Sequence, residues 1–217
     1  DGEANEDQSG RSVSIDSDGS HVAIGAPYNN GGGSDSGHVR IYSWDGSAWS
    51  QVGNDIDGEA SSDNSGYSVS MDSDGSHVAI GAHYNDGNGT DSGHVRICSW
   101  DGSAWTQVGN DIDGEATWDQ SGYSVSMDSD GSHVAIGAYN NDGGGSNSGH
   151  VRVYFWNGSA WSQVGNDIDG EATNDNSGYS VSIDSDGSHV AIGAYANDGN
   201  GIASGHVRVY EYSSGSW

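Results

Sequence analysis

The chain has 217 residues and a formal charge of −27 at neutral pH, from 32 acidic residues against 5 basic ones. The basic residues are all arginines (Arg11, Arg40, Arg96, Arg152, Arg208), which excludes nucleic acid as a partner, because phosphates need clustered cations. The same charge argues against adhesion to anionic lipid, no apolar run reaches membrane length, and 37 glycines argue against helices.

In chain order, the segment 9–26 returns at 65–82, 121–138 and 177–194, always 56 residues on. Repeats two and three (57–112 and 113–168) are identical at roughly three quarters of their positions, the mark of a tandem architecture. Each unit predicts four short strands. In repeat two, strand A covers 67–71, where Tyr67, Val69 and Met71 alternate with Ser68 and Ser70. Strand B covers 77–80, strand C covers 94–100, and strand D covers 104–108, with Ile112 closing it. Asp74-Gly75 joins A to B and Asp101-Gly102 joins C to D, both dipeptides that favour tight hairpins. Four such strands repeated in tandem describe a blade of an all-β propeller with antiparallel sheets. The bulky parity of strand A and its serine parity would interlock when blades stack.

The stretch SGYSVSMDSDGSHVAIGA resembles the FG-GAP repeat of integrin-α-type propellers, with Ser65-Gly66 where that family has Phe-Gly and Gly25-Ala26-Pro27 matching its second half. The resemblance covers all four repeats. It implies a β-propeller, and more blades than four.

The repeats frame one domain, 1–217, divided as 1–56, 57–112, 113–168 and an incomplete 169–217. Repeat four lacks the residues that match Ser50 to Ile56, so its blade lacks most of its outer strand and would have an open edge. Three arrangements are compatible with this. The repeats belong to a longer array, or the chain self-associates to complete a propeller, or it closes alone as a four-bladed ring. The resemblance favours the first.

Variation between repeats falls on one rim. The A–B turn is DSDGS in every copy, whereas the B–C loops and the D-to-A links differ. Recognition on a rigid scaffold usually sits in loops, so this rim is the candidate binding surface. Its candidate residues are His83, Tyr84, Asp86, Asn88 and Asp91 in repeat two, Trp118, Tyr139, Asn141 and Asp142 in repeat three, and Tyr195, Asn197 and Asp198 in repeat four. Aromatic rings beside amides and carboxylates would suit a protein loop or a glycan. Drift at tolerant positions explains the variation at least equally.

No catalytic set stands outside the repeat, so a non-enzymatic adhesion or matrix-type module is expected, with a lectin of one shallow site per blade on the variable rim as the alternative. No cofactor is certain. The resemblance implies calcium at the A–B hairpins, through Asp16 and Asp18, Asp72 and Asp74, Asp128 and Asp130, and Asp184 and Asp186. Two carboxylates on a tight turn cannot fill a calcium shell by themselves, and a plain hairpin turn is the favoured reading. The acidic link Asp55-Ile56-Asp57-Gly58-Glu59 and the histidines opening strands B and C read as solvated acids and as strand-start hydrogen bonders. Arg96 shares a face with Trp100, which predicts a cation–π contact or an ion pair with a neighbouring blade. Cys98 replaces a tyrosine found in the other copies and reads as a drifted strand residue. The chain begins within a motif, shows no signal peptide, and has sequons at Asn88 and Asn157; an extracellular or cell-surface location is expected from the resemblance.

Overall fold

The computed structural model describes all residues, 1–217, and contains strands and turns but no helix. The first repeat folds into β1 (Ser12–Ile15), β2 (His21–Ala26), β3 (His38–Trp44), β4 (Trp49–Gln51) and β5 (Ile56–Asp57). The second gives β6 (Ser68–Met71), β7 (His77–Ala82), β8 (His94–Trp100), β9 (Trp105–Gln107) and β10 (Ile112–Asp113). The third gives β11 (Ser124–Met127), β12 (His133–Ala138), β13 (His150–Trp156), β14 (Trp161–Gln163) and β15 (Ile168–Asp169). The fourth has β16 (Ser177–Ile183), β17 (His189–Ala194) and β18 (His206–Glu211). Each repeat is an antiparallel sheet in chain order, the blade of a β-propeller, and the fourth blade has three strands.

The outer strand departs from expectation. Instead of one strand closed by Ile112, two short pieces pair with opposite ends of β8: Cys98 faces Gln107 and Trp100 faces Trp105 in β9, whereas Val95 faces Ile112 and His94 faces Asp113 in β10. Gly109 breaks the strand. Its φ is +76°, and a Cβ there would meet the Trp156 ring of the next blade at 2.7 Å. Only glycine satisfies both demands.

The inner strands β1, β6, β11 and β16 lie side by side. The serine parity of strand A does more than leave room. The Ser14 hydroxyl accepts the backbone N–H of Met71 at 3.0 Å, and the Ser12 hydroxyl donates to the Gly66 carbonyl at 2.7 Å. Ser70 and Ser68 repeat these bonds towards blade three, and Ser126 and Ser124 towards blade four. The bulky parity fills the space between sheets: Val39 and Ile41 of blade one pack with Val69, Met71, Val78 and Ile80 of blade two. Cys98 is buried in that cluster, as a strand residue should be, and burial pushes its thiol up to about 11.

The two ends of the fan differ from its middle. Val13 and Ile15 on blade one are 64% and 59% exposed, and Val207 and Val209 on blade four 69% and 68%, although Val95 and Ile97 at the latter register are buried. The first and last blades therefore present the two unpaired halves of the interface that joins the other blades.

Candidate functional site

The B–C loops and the D-to-A links meet on one rim, as the repeat pattern predicts. Their junction is a built scaffold. Asn85 donates its side-chain N–H to Asp63 at 2.9 Å, and Asp63 in turn accepts the Ala60 N–H at 3.1 Å, so a buried Asn–Asp pair ties loop to link. Asn141 with Asp119 and Asn197 with Asp175 repeat the pair at 2.9 Å. Asn141 and Asn197 are buried and committed, and they are not free to grip a ligand. Asn88 donates to the Gly114 carbonyl at 2.8 Å and so clamps the loop to the following link. Asp86, Asp142 and Asp198 are exposed, and one oxygen of each accepts a loop N–H, from Asp91, Asn147 and Ala203 at 2.7–2.8 Å. Asp91 is half-buried, and burial together with Asp86 raises its pKa.

His83 was expected at the surface and is buried at 3% exposure. Its ring lies 4.0 Å from Tyr67 and 3.9 Å from Tyr84, centroid to centroid, and edge-on to Tyr123 at 5.6 Å. Burial, with Arg11 nearby, pushes its pKa down to about 3, so the imidazole is neutral. The cause is an aromatic ladder that no single repeat displays. Tyr67 and Tyr123, just before the inner strands β6 and β11, and Tyr179 in β16 stand 5.0 and 4.9 Å apart in succession. Tyr139 packs on Tyr123 at 4.3 Å and Tyr195 on Tyr179 at 4.5 Å, while the Arg11 guanidinium caps Tyr67 at 4.2 Å. The ladder stands at one end of a groove of about 330 Å³ along the inner strands. Tyr84, Trp118 and Tyr195 remain exposed on the rim, at 37%, 57% and 54%, and Tyr139 is half-buried.

The A–B hairpins hold a different network. Asp72 accepts the His77 Nδ1 proton at 2.7 Å, the Ser76 hydroxyl at 3.0 Å and the His77 backbone N–H at 3.1 Å. Asp74 accepts the Ser76 N–H at 2.9 Å. Asp16, Asp128 and Asp184 bind His21, His133 and His189 in the same way at 2.7–2.8 Å, and Asp18, Asp130 and Asp186 accept the N–H of Ser20, Ser132 and Ser188. The hydrogen bond from Asp72 is the main cause of a raised His77 pKa. Protons thus point at the oxygens that calcium would need as ligands, and the hairpins in this arrangement do not fit that ion.

The strand C arginines meet one half of their expectation, the ion pair, and correct the other. Arg96 does not stack on the Trp100 ring; it is buried, donates to the Asp57 carbonyl at 2.6 Å, and pairs with Glu59 of the link, where an Asp was expected, at 3.6 Å. Arg40, Arg152 and Arg208 reach the carbonyls of Asp1, Asp113 and Asp169, and lie over Tyr42, Tyr154 and Tyr210 at 5.2–6.0 Å. The arginine serves as a clasp on the incoming link.

A grouping missed in the sequence stands beside it. Glu3, His38 and Asp55 converge in blade one, Glu59, His94 and Asp111 in blade two, and Glu115, His150 and Asp167 in blade three, each set offering three ligand atoms within 4.8 Å of one another. Pairing of β10 with β8, and its counterparts, brings the acidic link to the strand C histidine. Burial and the neighbouring acids Asp55 and Glu3 raise the pKa of Asp57, and burial with Asp167 does the same for Asp169. Burial lowers His94 and takes His150 down to about 4.

Between neighbouring blades the outer edge carries clefts of about 320, 290 and 260 Å³, each lined by a tryptophan (Trp105, Trp161 or Trp217) and by aspartates of the preceding link.

The model of the FG-GAP repeat matches residues 1–42, 55–97, 111–154 and 168–210. The chain belongs to the FG-GAP repeat family. Solved structures similar to this FG-GAP chain include a proposed 6-phosphogluconolactonase from Bacteroides uniformis, 12% identical with a TM-score of 0.61, covering 94% of this chain and 50% of that one. A second, from Bacteroides fragilis and of the same description, is 10% identical with a TM-score of 0.60, covering 93% and 50%. The FG-GAP chain thus spans half the length of the solved chains it matches, and at such identities the likeness concerns the fold alone. A search of curated proteins found none that matches. No helix of the FG-GAP chain is long and apolar enough to cross a membrane.

Proposed function

We propose that the chain is a non-enzymatic interaction module of the adhesion or matrix type, working outside the cell and binding a protein partner on the rim of B–C loops and D-to-A links. One observation carries this reading. Trp118 is 57% exposed and sits at a φ of +72°, in the left-handed region. The matching residues are Glu6, Ser62 and Asn174, small or polar at the same backbone angle. A bulky side chain held there costs on the order of 1–2 kcal/mol, and a ring left more than half exposed is suited to recognition. Tyr84 and Tyr195 extend the aromatic surface on the same rim. The ionisable clusters recur from blade to blade, which suits a scaffold better than a single reaction centre.

A lectin is the second reading, favoured by the repeated clefts. A tryptophan edge beside carboxylates is a suitable bed for a sugar ring, and such clefts supply one shallow site per junction. They lie on the outer edge of the fan, against the links that run to the rim. Self-association belongs to the partner reading as well: Val207 and Val209 on one end face and Val13 and Ile15 on the other are complementary halves, and a doubled mass in light scattering would register it.

The test is a screen of the labelled chain against immobilised matrix proteins and a glycan array, with Trp118→Ser and Trp161→Ser in parallel. Protein capture lost in Trp118→Ser supports the rim. Glycan capture lost only in Trp161→Ser supports the lectin, and capture of neither class overturns both.

A further inference from the structure

Two features that look unrelated along the chain, the acidic link and the strand C histidine, form one constellation in each of three blades. In blade one, His38 Nδ1 stands 3.5 Å from Asp55 Oδ2 and 4.0 Å from Glu3 Oε2. In blades two and three, His94 and His150 Nδ1 stand 3.9 and 3.8 Å from Glu59 and Glu115. These separations are too long for a good hydrogen bond and suit ligands arranged around a shared ion. His38 and His150 are each 1% exposed, and their Nδ1 atoms have no hydrogen-bond partner. A buried ring nitrogen without a partner is costly, and here it faces two carboxylates. The A–B histidines differ, since each is satisfied by its aspartate.

The remainder of each constellation agrees. In blade one three carboxylates, Glu3, Asp55 and Asp57, stand together; Arg40 takes the other oxygen of Glu3 at 3.3 Å, and Arg96 of the next blade acts on Asp57. Gln51 donates to the other oxygen of Asp55 at 2.6 Å and orients it, as outer partners of metal ligands do. Gln107 and Gln163 hold Asp111 and Asp167 in the same way. The histidine end is closed, while Glu3 and Asp55 are partly exposed, so an ion would enter from the solvent side and keep water in its remaining positions.

We propose that Glu3/His38/Asp55, Glu59/His94/Asp111 and Glu115/His150/Asp167 are three equivalent binding sites for a divalent transition-metal ion of the Zn2+ type. One imidazole with two carboxylates is the donor set that zinc accepts, whereas calcium takes oxygen ligands only. The bound ion would tie incoming link, strand C and outgoing link together under the variable rim. This inference is independent of what the rim binds.

The experiment is a calorimetric titration of the full chain, stripped with chelator, against ZnCl2 and against CaCl2. Three equivalents of zinc per chain are expected, with at least tenfold weaker calcium binding and a higher melting temperature in zinc. The triple variant Asp55→Asn/Asp111→Asn/Asp167→Asn should retain the melting temperature of the metal-free protein, which shows that it folds, and lose the zinc response. Cobalt substitution adds a readout, because its visible absorption reports tetrahedral ligation by His and carboxylate. Failure to bind zinc at millimolar concentration overturns the proposal. So does undiminished zinc binding by the folded triple variant, which would put the ion on Asp184, Asp186 and His189.

Discussion

Gly81 and Gly122 touch across the junction between blades two and three so closely that a Cβ on Gly81 would stand 2.0 Å from the Gly122 carbonyl oxygen. Gly25 with Gly66 and Gly137 with Gly178 have the same relation. The two glycines that recur in the family's motif are thus the two sides of one contact. Gly193, at the same place in blade four, meets only Ser180, whose hydroxyl is the near atom and whose main chain stays at 3.7 Å. Gly81→Ala should therefore cost about 3 kcal/mol or more, because main chain cannot give way, and Gly193→Ala much less. Urea denaturation of both variants checks this. Equal losses would mean that the free face of blade four is covered.

Trp161 donates its indole N–H to the Val108 carbonyl of the preceding blade at 2.8 Å, and Trp105 and Trp217 do the same to Val52 and Val164. Trp161→Phe keeps a ring and loses the bond. A loss of about 1 kcal/mol is expected, read as a lower urea midpoint. An unchanged midpoint would leave the outer edge without this tie.

Arg96→Gln should lower the melting temperature by several degrees, since the variant abandons the buried Asp57 carbonyl and frees Glu59 among other acids. A melt equal to the parent's would remove the clasp from this account.

The two classes of histidine respond to acid in opposite ways. His83 has a folded pKa of about 3, below its unfolded value near 6.5, so the unfolded chain takes the proton first. Stability that His83 permits at pH 7 is lost as pH falls below about 6.5, by about 2 kcal/mol at pH 5. His77, raised by Asp72, contributes stability below its unfolded pKa that fades as pH rises through its folded value. His83→Tyr, which copies Tyr139 and Tyr195, removes only the first effect. The variant should gain on the parent between pH 7 and pH 5 in chemical denaturation, and a constant difference would mean that His83 titrates normally.

Strands A, B and C were legible in the sequence because period-2 alternation and Asp-Gly turns are local and come four times over. The rim was legible too, from where the copies differ. What escaped depends on neighbours. Gly109 breaks the outer strand because Trp156 of another blade needs its space. His83 is buried because Tyr67 and Tyr123 stand at the heads of adjacent inner strands. Arg96 turned from Trp100 to Asp57 because the incoming link, 39 residues upstream, crosses its end of the strand. Glu59, His94 and Asp111 meet only through pairing of β10 with β8, so each looked like an ordinary solvated or capping residue.

Recognition on the variable rim is the claim with most at stake, and oxidative footprinting of the chain with and without its captured partner tests it most directly. Trp118, Tyr84 and Tyr195 start exposed and report the rim, while Trp44 and Trp49, 43% and 44% exposed, report the outer edge. Protection of Trp118 and Tyr195, with Trp44 and Trp49 oxidised as before, is the predicted result. Protection confined to the outer-edge tryptophans, with Trp118 still freely oxidised, would contradict it.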